Sequence, residues 1–225
     1  MIRLTADDGH ELDAYEAGPA DAAAGIVVVQ EIFGVNAHIR DVVDRYAALG
    51  YRAVAPALFD RLERGVELGY TEETVAQGRA MRGAIDWDDT VRDVGAAVDC
   101  LASNGPVGVV GYCYGGSLAW LAANALPVAA AVGYYGGQII QFTDRAPQAP
   151  VLLHFGEVDY MIPLSDVEEI MRAHPAVPVH VYPGADHGFN CDARDSYHPE
   201  AAAQALERTL AFLADAGVRP SEDRP

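Results

Sequence analysis

Residues 107 to 118 read Val107-Gly108-Val109-Val110-Gly111-Tyr112-Cys113-Tyr114-Gly115-Gly116-Ser117-Leu118. An apolar strand breaks there around glycines and a single thiol, then continues as a helix. A reversal this sharp brings backbone against backbone, and only glycine at 111, 115 and 116 leaves room for it. The helix expected from about Tyr114 points its N-terminus at the sulfur, where its dipole and free N–H groups favour a thiolate and a developing oxyanion. A passive buried thiol needs no such glycines. Cys113 is therefore read as a nucleophile held out at the top of a sheet.

The rest of the chain alternates in the way such a turn requires. Asp8-Gly9 is a hairpin turn between short strands near 2–6 and 10–16, an antiparallel cap on one sheet edge. Gly25 to Val29 is a short, β-branched apolar run, hence a strand buried on both faces of a parallel sheet. Ile39, Val42, Val43, Tyr46 and Ala47 keep helical spacing up to Gly50, and Tyr51 to Pro56 reads as the next strand. Further strands are expected at 128–133, 150–155 and 178–182. Helices are expected at about 71–84, 87–103, 114–125, 164–173 and 197–215, the last with Leu206, Leu210 and Leu213 on its apolar stripe. The expectation is an α/β fold: a doubly wound, mostly parallel sheet with an N-terminal antiparallel hairpin. With 225 residues, 1–225 is expected to form a single domain, with 57–85 as a lid segment and a frayed tail from Pro220 to Pro225.

Fifteen basic against thirty-three acidic residues give a formal charge of −18, which excludes nucleic acid and anionic lipid as natural partners. Three cysteines without C-x-x-C spacing fit reduced thiols. Neither a signal-like apolar start nor a run of about eighteen apolar residues is present, so a cytoplasmic protein that does not enter the membrane is expected. Its oligomeric state is expected to be a monomer or small homo-oligomer.

In an open parallel sheet, the residues that can meet a nucleophile lie just beyond the strand ends. Gly156-Glu157-Val158-Asp159 follows one late strand, and Gly184-Ala185-Asp186-His187-Gly188 follows the next. His187 would take the thiol proton and Asp159 would fix its tautomer. Glu157 and Asp166 compete for the acid role; Asp159 is preferred because it sits in the turn after its strand and gives the order Cys, Asp, His of α/β-hydrolase triads. His154, inside a strand, reads as structural. The other five histidines show no i, i+4 or H-x-H spacing, so neither a metal nor a cofactor is expected. Cys191 reads as a passive small residue.

The chain resembles the dienelactone hydrolase family over nearly its whole length. The resemblance is carried by Gln30-Glu31-Ile32-Phe33-Gly34-Val35-Asn36, by the G-x-C-x-G-G elbow, by Gly133-Tyr134-Tyr135-Gly136, by the Gly156 to Asp159 turn and by His187. It implies an α/β-hydrolase fold and a cofactor-independent hydrolase of small lactones or esters, acting through a thioacyl enzyme on Cys113, Asp159 and His187. It also implies that Glu31 helps convert a neutral thiol into the attacking thiolate. The N–H groups of Ile32 and Tyr114 would form the oxyanion hole, with Phe33, Tyr135 and Phe189 as apolar walls or, equally, as core packing. The family's substrate-holding arginines fall, by gap-free counting, at Val75 and Cys191, so both positions lack the charge. Arg79 and Arg82 on the lid helix are substrate-binding candidates, with a solvated helix face as the equal alternative. Without carboxylate recognition, neutral esters would be preferred. Rival readings are a thioesterase or general carboxylesterase on the same scaffold, or a small-molecule binding or thiol-sensing protein.

Overall fold

The computed structural model describes residues 1–220; most of the expected frayed tail lies outside them. Strand β1 (Ile2–Thr5) and β2 (Glu11–Ala17) form the expected hairpin, closed where Ala6 N–H donates to the His10 carbonyl at 2.8 Å. Strands β3 (Gly25–Val29), β4 (Arg52–Pro56), β5 (Val107–Tyr112), β6 (Ala130–Tyr134), β7 (Val151–Gly156) and β8 (Val179–Tyr182) complete one eight-stranded sheet. Its order is β1-β2-β4-β3-β5-β6-β7-β8, with β1-β2 and β2-β4 antiparallel and every other pair parallel. The strands β3, β5, β6 and β7 are buried along their whole length, as continuous apolar runs in a two-sided sheet must be.

The helices are α1 (Ala37–Ala48), α2 (Glu72–Gly83), α3 (Trp87–Leu101), α4 (Tyr114–Ala125), α5 (Leu164–Ala173) and α6 (Pro199–Asp215). Side-chain alternation along β5 shows how they divide between the faces. Gly108 meets Leu213 of α6, and Tyr112 lines an apolar cavity between α1 and α6. Gly111, on the opposite side, meets the first turn of α4, which packs on α3. The sheet is therefore doubly wound, and this is the fold of the α/β hydrolases.

Two expectations need correction. Strand β6 begins at Ala130 rather than 128, because Ala129 N–H already pairs with the Val107 carbonyl and Val128 N–H closes a turn onto Leu126. Helix α6 begins at Pro199, capped by His198 Nδ1, which accepts from Ala201 N–H at 3.3 Å. Its buried face takes in only part of the leucine stripe: Leu213 is buried and Leu210 packs half-buried against the core, whereas Leu206 is exposed, and Ala201, Ala202, Ala205 and Thr209 complete the core side. Small residues let α6 sit close to the sheet, where the Thr209 hydroxyl lies 2.7 Å from the Tyr134 hydroxyl and 3.1 Å from His154 Nε2.

Candidate active site

Cys113 occupies the turn between β5 and α4 with φ 54° and ψ −111°, a left-handed conformation that a non-glycine residue adopts only under constraint. The constraint is backbone packing. A Cβ on Gly111 would collide with the Gly115 carbonyl, and one on Gly115 with the Val29 carbonyl. Cys113 N–H is fixed to the Tyr134 carbonyl at 2.9 Å and Gly115 N–H to the Gln30 carbonyl at 3.0 Å. Tyr114 N–H, as the first of α4, has no acceptor within its own helix. It lies on the turn that also carries the sulfur, and the α4 N-terminus abuts the strand end that leads into Ile32.

The thiol, imidazole and carboxylate come together. Cys113 Sγ lies 3.2 Å from His187 Nε2, and His187 Nδ1 lies 2.8 Å from Asp159 Oδ2. The other carboxylate oxygen of Asp159 accepts from Met161 N–H at 2.8 Å and Ile162 N–H at 3.1 Å, so its orientation is set by its own turn. Asp186, next to His187, receives the His187 and Tyr160 N–H groups and holds the loop. Burial alone would push His187 towards the neutral form. The electrostatic pull of Cys113 and the hydrogen bond and charge of Asp159 outweigh it and raise the imidazole to about 10. Glu157 accepts from Gly184 N–H and Asp166 sits in the first turn of α5, so neither competing carboxylate faces the imidazole.

Glu31 follows β3 by two residues and is 1% exposed. Its Oε1 lies 3.3 Å from Arg194 Nη1, while Oε2 has no hydrogen-bond partner among the described residues. Arg194 therefore stands in the candidate site, at a position that counting along the sequence missed. Successive turns, with Cys191 N–H on the Gly188 carbonyl and Arg194 N–H on the Cys191 carbonyl, roll the loop so that its guanidinium folds back beside His187. The guanidinium occupies the space that a Cβ at position 188 would need, and Gly188 (φ 80°) leaves it open. Burial disfavours the charge of Arg194, but Glu31, Tyr135 and Cys113 together raise its pKa.

The profile of the dienelactone hydrolase family matches residues 12–217. The chain is 38% identical over 224 residues to the carboxymethylenebutenolidase of Pseudomonas putida, covering 95% of each. The chain belongs to the dienelactone hydrolase family. The carboxymethylenebutenolidase of Pseudomonas knackmussii shows the same 38% identity over 224 residues, again with 95% of each covered. A crystal structure from Klebsiella pneumoniae assigned as a dienelactone hydrolase has a TM-score of 0.82 at 32% identity, over 95% of this chain and 98% of that one. A dienelactone hydrolase-like promiscuous phosphotriesterase from metagenomic libraries, at 23% identity and a TM-score of 0.70 over 96% and 97% of the two chains, shares the fold.

Set against the dienelactone hydrolase pattern, the departures at positions 75 and 191 look different in three dimensions. A positive charge does stand in this loop, but seven residues after His187 rather than four, at Arg194. Cys191 itself is fully buried, its thiol directed at the Tyr70 hydroxyl 3.4 Å away, and burial holds it near a pKa of about 11. On α2, Arg82 stacks over Trp87 at 3.6 Å and Tyr114 at 4.8 Å and donates to the Ile85 carbonyl, so it braces the helix. Arg79 approaches Met161 Sδ at 4.0 Å, two residues beyond Asp159, on the rim of an open cleft that also contains Gln138 and Gln141. Helix α2 rests on the Ile32 carbonyl through Gly78, its one buried residue.

Among the expected aromatic walls, Phe33 packs edge-on against Tyr70 at 4.7 Å, below the Arg194 guanidinium. Tyr135 lies 5.1 Å from the His187 ring, and its buried hydroxyl has no partner among the described residues. Phe189 is completely buried among Tyr134, Tyr135 and Tyr182 and belongs to the core behind the site. His154 is held between the Tyr182 hydroxyl at 2.9 Å and Thr209, and burial lowers its pKa to about 3, as suits a structural residue.

Proposed function

We propose that the chain hydrolyses small lactones or esters that carry a carboxylate, through a thioacyl intermediate on Cys113. The observation that carries this reading is the unbroken relay from Asp159 through His187 to the strained Cys113. The thiolate attacks the carbonyl carbon, and the oxyanion forms against the N–H groups of Tyr114 and Ile32. His187 gives its proton to the departing alkoxide, then draws a proton from water as that water attacks the thioester, which frees the acid and the thiol. No step needs a metal or an organic cofactor.

Arg194 supports a preference for anionic substrates over the neutral esters expected from the sequence. A substrate carboxylate that engages the guanidinium competes with Glu31 for the same donor. Glu31 then loses its counter-ion and is freed for the part in activating the thiol that the family resemblance implies. Segment 57–85, with α2 leaning on Ile32, serves as the cover of the catalytic cleft.

The test is intact-protein mass and product release after mixing with an anionic enol lactone and with p-nitrophenyl acetate, comparing wild type with Cys113→Ala. An acyl adduct and turnover that both require Cys113 are expected, with the lactone the faster substrate. Equal turnover by the alanine variant would sink the proposal.

A further inference from the structure

We infer that Glu31, His38 and Cys191 form a zinc site beside the catalytic cleft. One ligand atom from each of these buried residues lies within 4.8 Å of the other two. They come from the β3 end, the first turn of α1 and the loop after His187, so no sequence spacing announces them. Two of the three present an unsatisfied lone pair. Glu31 Oε2 and His38 Nε2 are both buried without a hydrogen-bond partner among the described residues, a costly arrangement unless something occupies the space between them.

The surroundings are those of a metal-binding histidine. His38 Nδ1 faces Asp192 Oδ1 at 3.3 Å, which fixes the tautomer with the Nε2 lone pair aimed inward, and Arg45 holds the other oxygen of Asp192. Asn36 donates to the Tyr70 oxygen at 3.2 Å, leaving the Tyr70 O–H to donate to a thiolate at Cys191, 3.4 Å away. One thiolate, one imidazole and one carboxylate match zinc better than magnesium or calcium, which take oxygen alone. Binding would release the Cys191 proton to solvent, draw the three atoms together by about 1 Å to tetrahedral spacing, and leave a fourth position for water.

Oε1 of Glu31 would keep Arg194 while Oε2 takes the metal. On the function proposed above, zinc would therefore pin Glu31 and act as an inhibitor. The binding test does not depend on that reading. In a Cys100→Ser, Cys113→Ser background, Cys191 is the chain's one remaining thiol. Titration of zinc against a chromophoric chelator, and of cobalt(II) by absorption, should show one ion per chain and a thiolate-to-cobalt charge-transfer band. Adding Cys191→Ser should abolish the band. His38→Gln and Asp192→Asn, each checked for fold by circular dichroism, should weaken zinc binding at least tenfold. No thiolate band, or affinity unchanged in both folded variants, would overturn the site. In a separate assay, zinc should lower kcat/KM of the wild type at least tenfold, reversibly with EDTA, and spare His38→Gln. Equal inhibition of that variant would place the effect on Cys113 and refute the regulatory part alone.

Discussion

Replacing Arg194 with methionine keeps the apolar stem and removes the guanidinium, which leaves Glu31 at 1% exposure with neither oxygen partnered. Breaking a well-formed buried ion pair from one side costs about 3 to 5 kcal/mol, mostly the penalty of the orphaned charge. Here the contact is a single 3.3 Å approach and the arginine side chain is 16% exposed. The expected loss is therefore about 2 to 3 kcal/mol. Glu31→Gln removes the charge that would be stranded, so the double variant should be more stable than the two single losses predict, by about 1 to 2 kcal/mol. Urea unfolding followed by circular dichroism at neutral pH measures all four corners of this cycle. The same residue should divide substrates: kcat/KM for an anionic lactone should fall about 30- to 100-fold in Arg194→Met, the worth of one charged hydrogen bond. A neutral ester of similar size should change by less than about threefold. Additive stabilities, or equal losses on both substrates, would refute a role for Arg194 as the shared partner of Glu31 and substrate.

Asp159→Asn should leave the fold intact and lower kcat by about four orders of magnitude, because the amide favours the wrong His187 tautomer; a loss below tenfold in steady-state kinetics would contradict the relay. His187, raised to about 10, binds its proton more tightly in the folded chain, so its contribution to stability is full below about pH 6.5 and is lost as pH rises through 10. The urea midpoint should fall over that interval in wild type and stay flatter in Cys113→Ala. His154, held near 3, should remain neutral at pH 5 by ring NMR, and its neutrality should cost up to about 4 kcal/mol of stability as pH falls from 6.5 towards 3. Gly111→Ala should cost more than about 3 kcal/mol or prevent soluble expression, since its methyl group would meet the Gly115 carbonyl and backbone cannot step aside.

Cys113, Asp159 and His187 were legible because each follows the end of a recognisable apolar strand, and parallel strands bring such ends together. The sheet itself was legible for the same reason: short β-branched runs flanked by turn residues leave little choice. Arg194 was hidden because counting from His187 assumes a fixed path, whereas three successive turns and Gly188 redirect the loop. A gap-tolerant search for any arginine in the loop after the histidine would have found it. The face of α6 was read only in part because hydrophobic spacing favours leucines, which found buried Leu213 but also exposed Leu206, while Thr209 is buried for its hydroxyl partners and the alanines for their size. Phe189 could be read as cleft wall or core packing because sequence position near His187 says nothing about which side of the loop a ring occupies; it is core.

Beyond Phe189, the loop from Asn190 to His198 is tied to the β3–α1 region and the α2 approach by contacts of Arg194 with Glu31, Cys191 with Tyr70, and Asp192 with His38 and Arg45. None of them involves the sheet core. Such a segment can open as one cooperative unit at a free energy well below that of global unfolding. On the proposed function, a chain in that state keeps Cys113 and its eight strands yet loses Arg194 from the site, so heat or denaturant should silence it before it melts, and amide exchange should mark this loop as the place where inactivation begins.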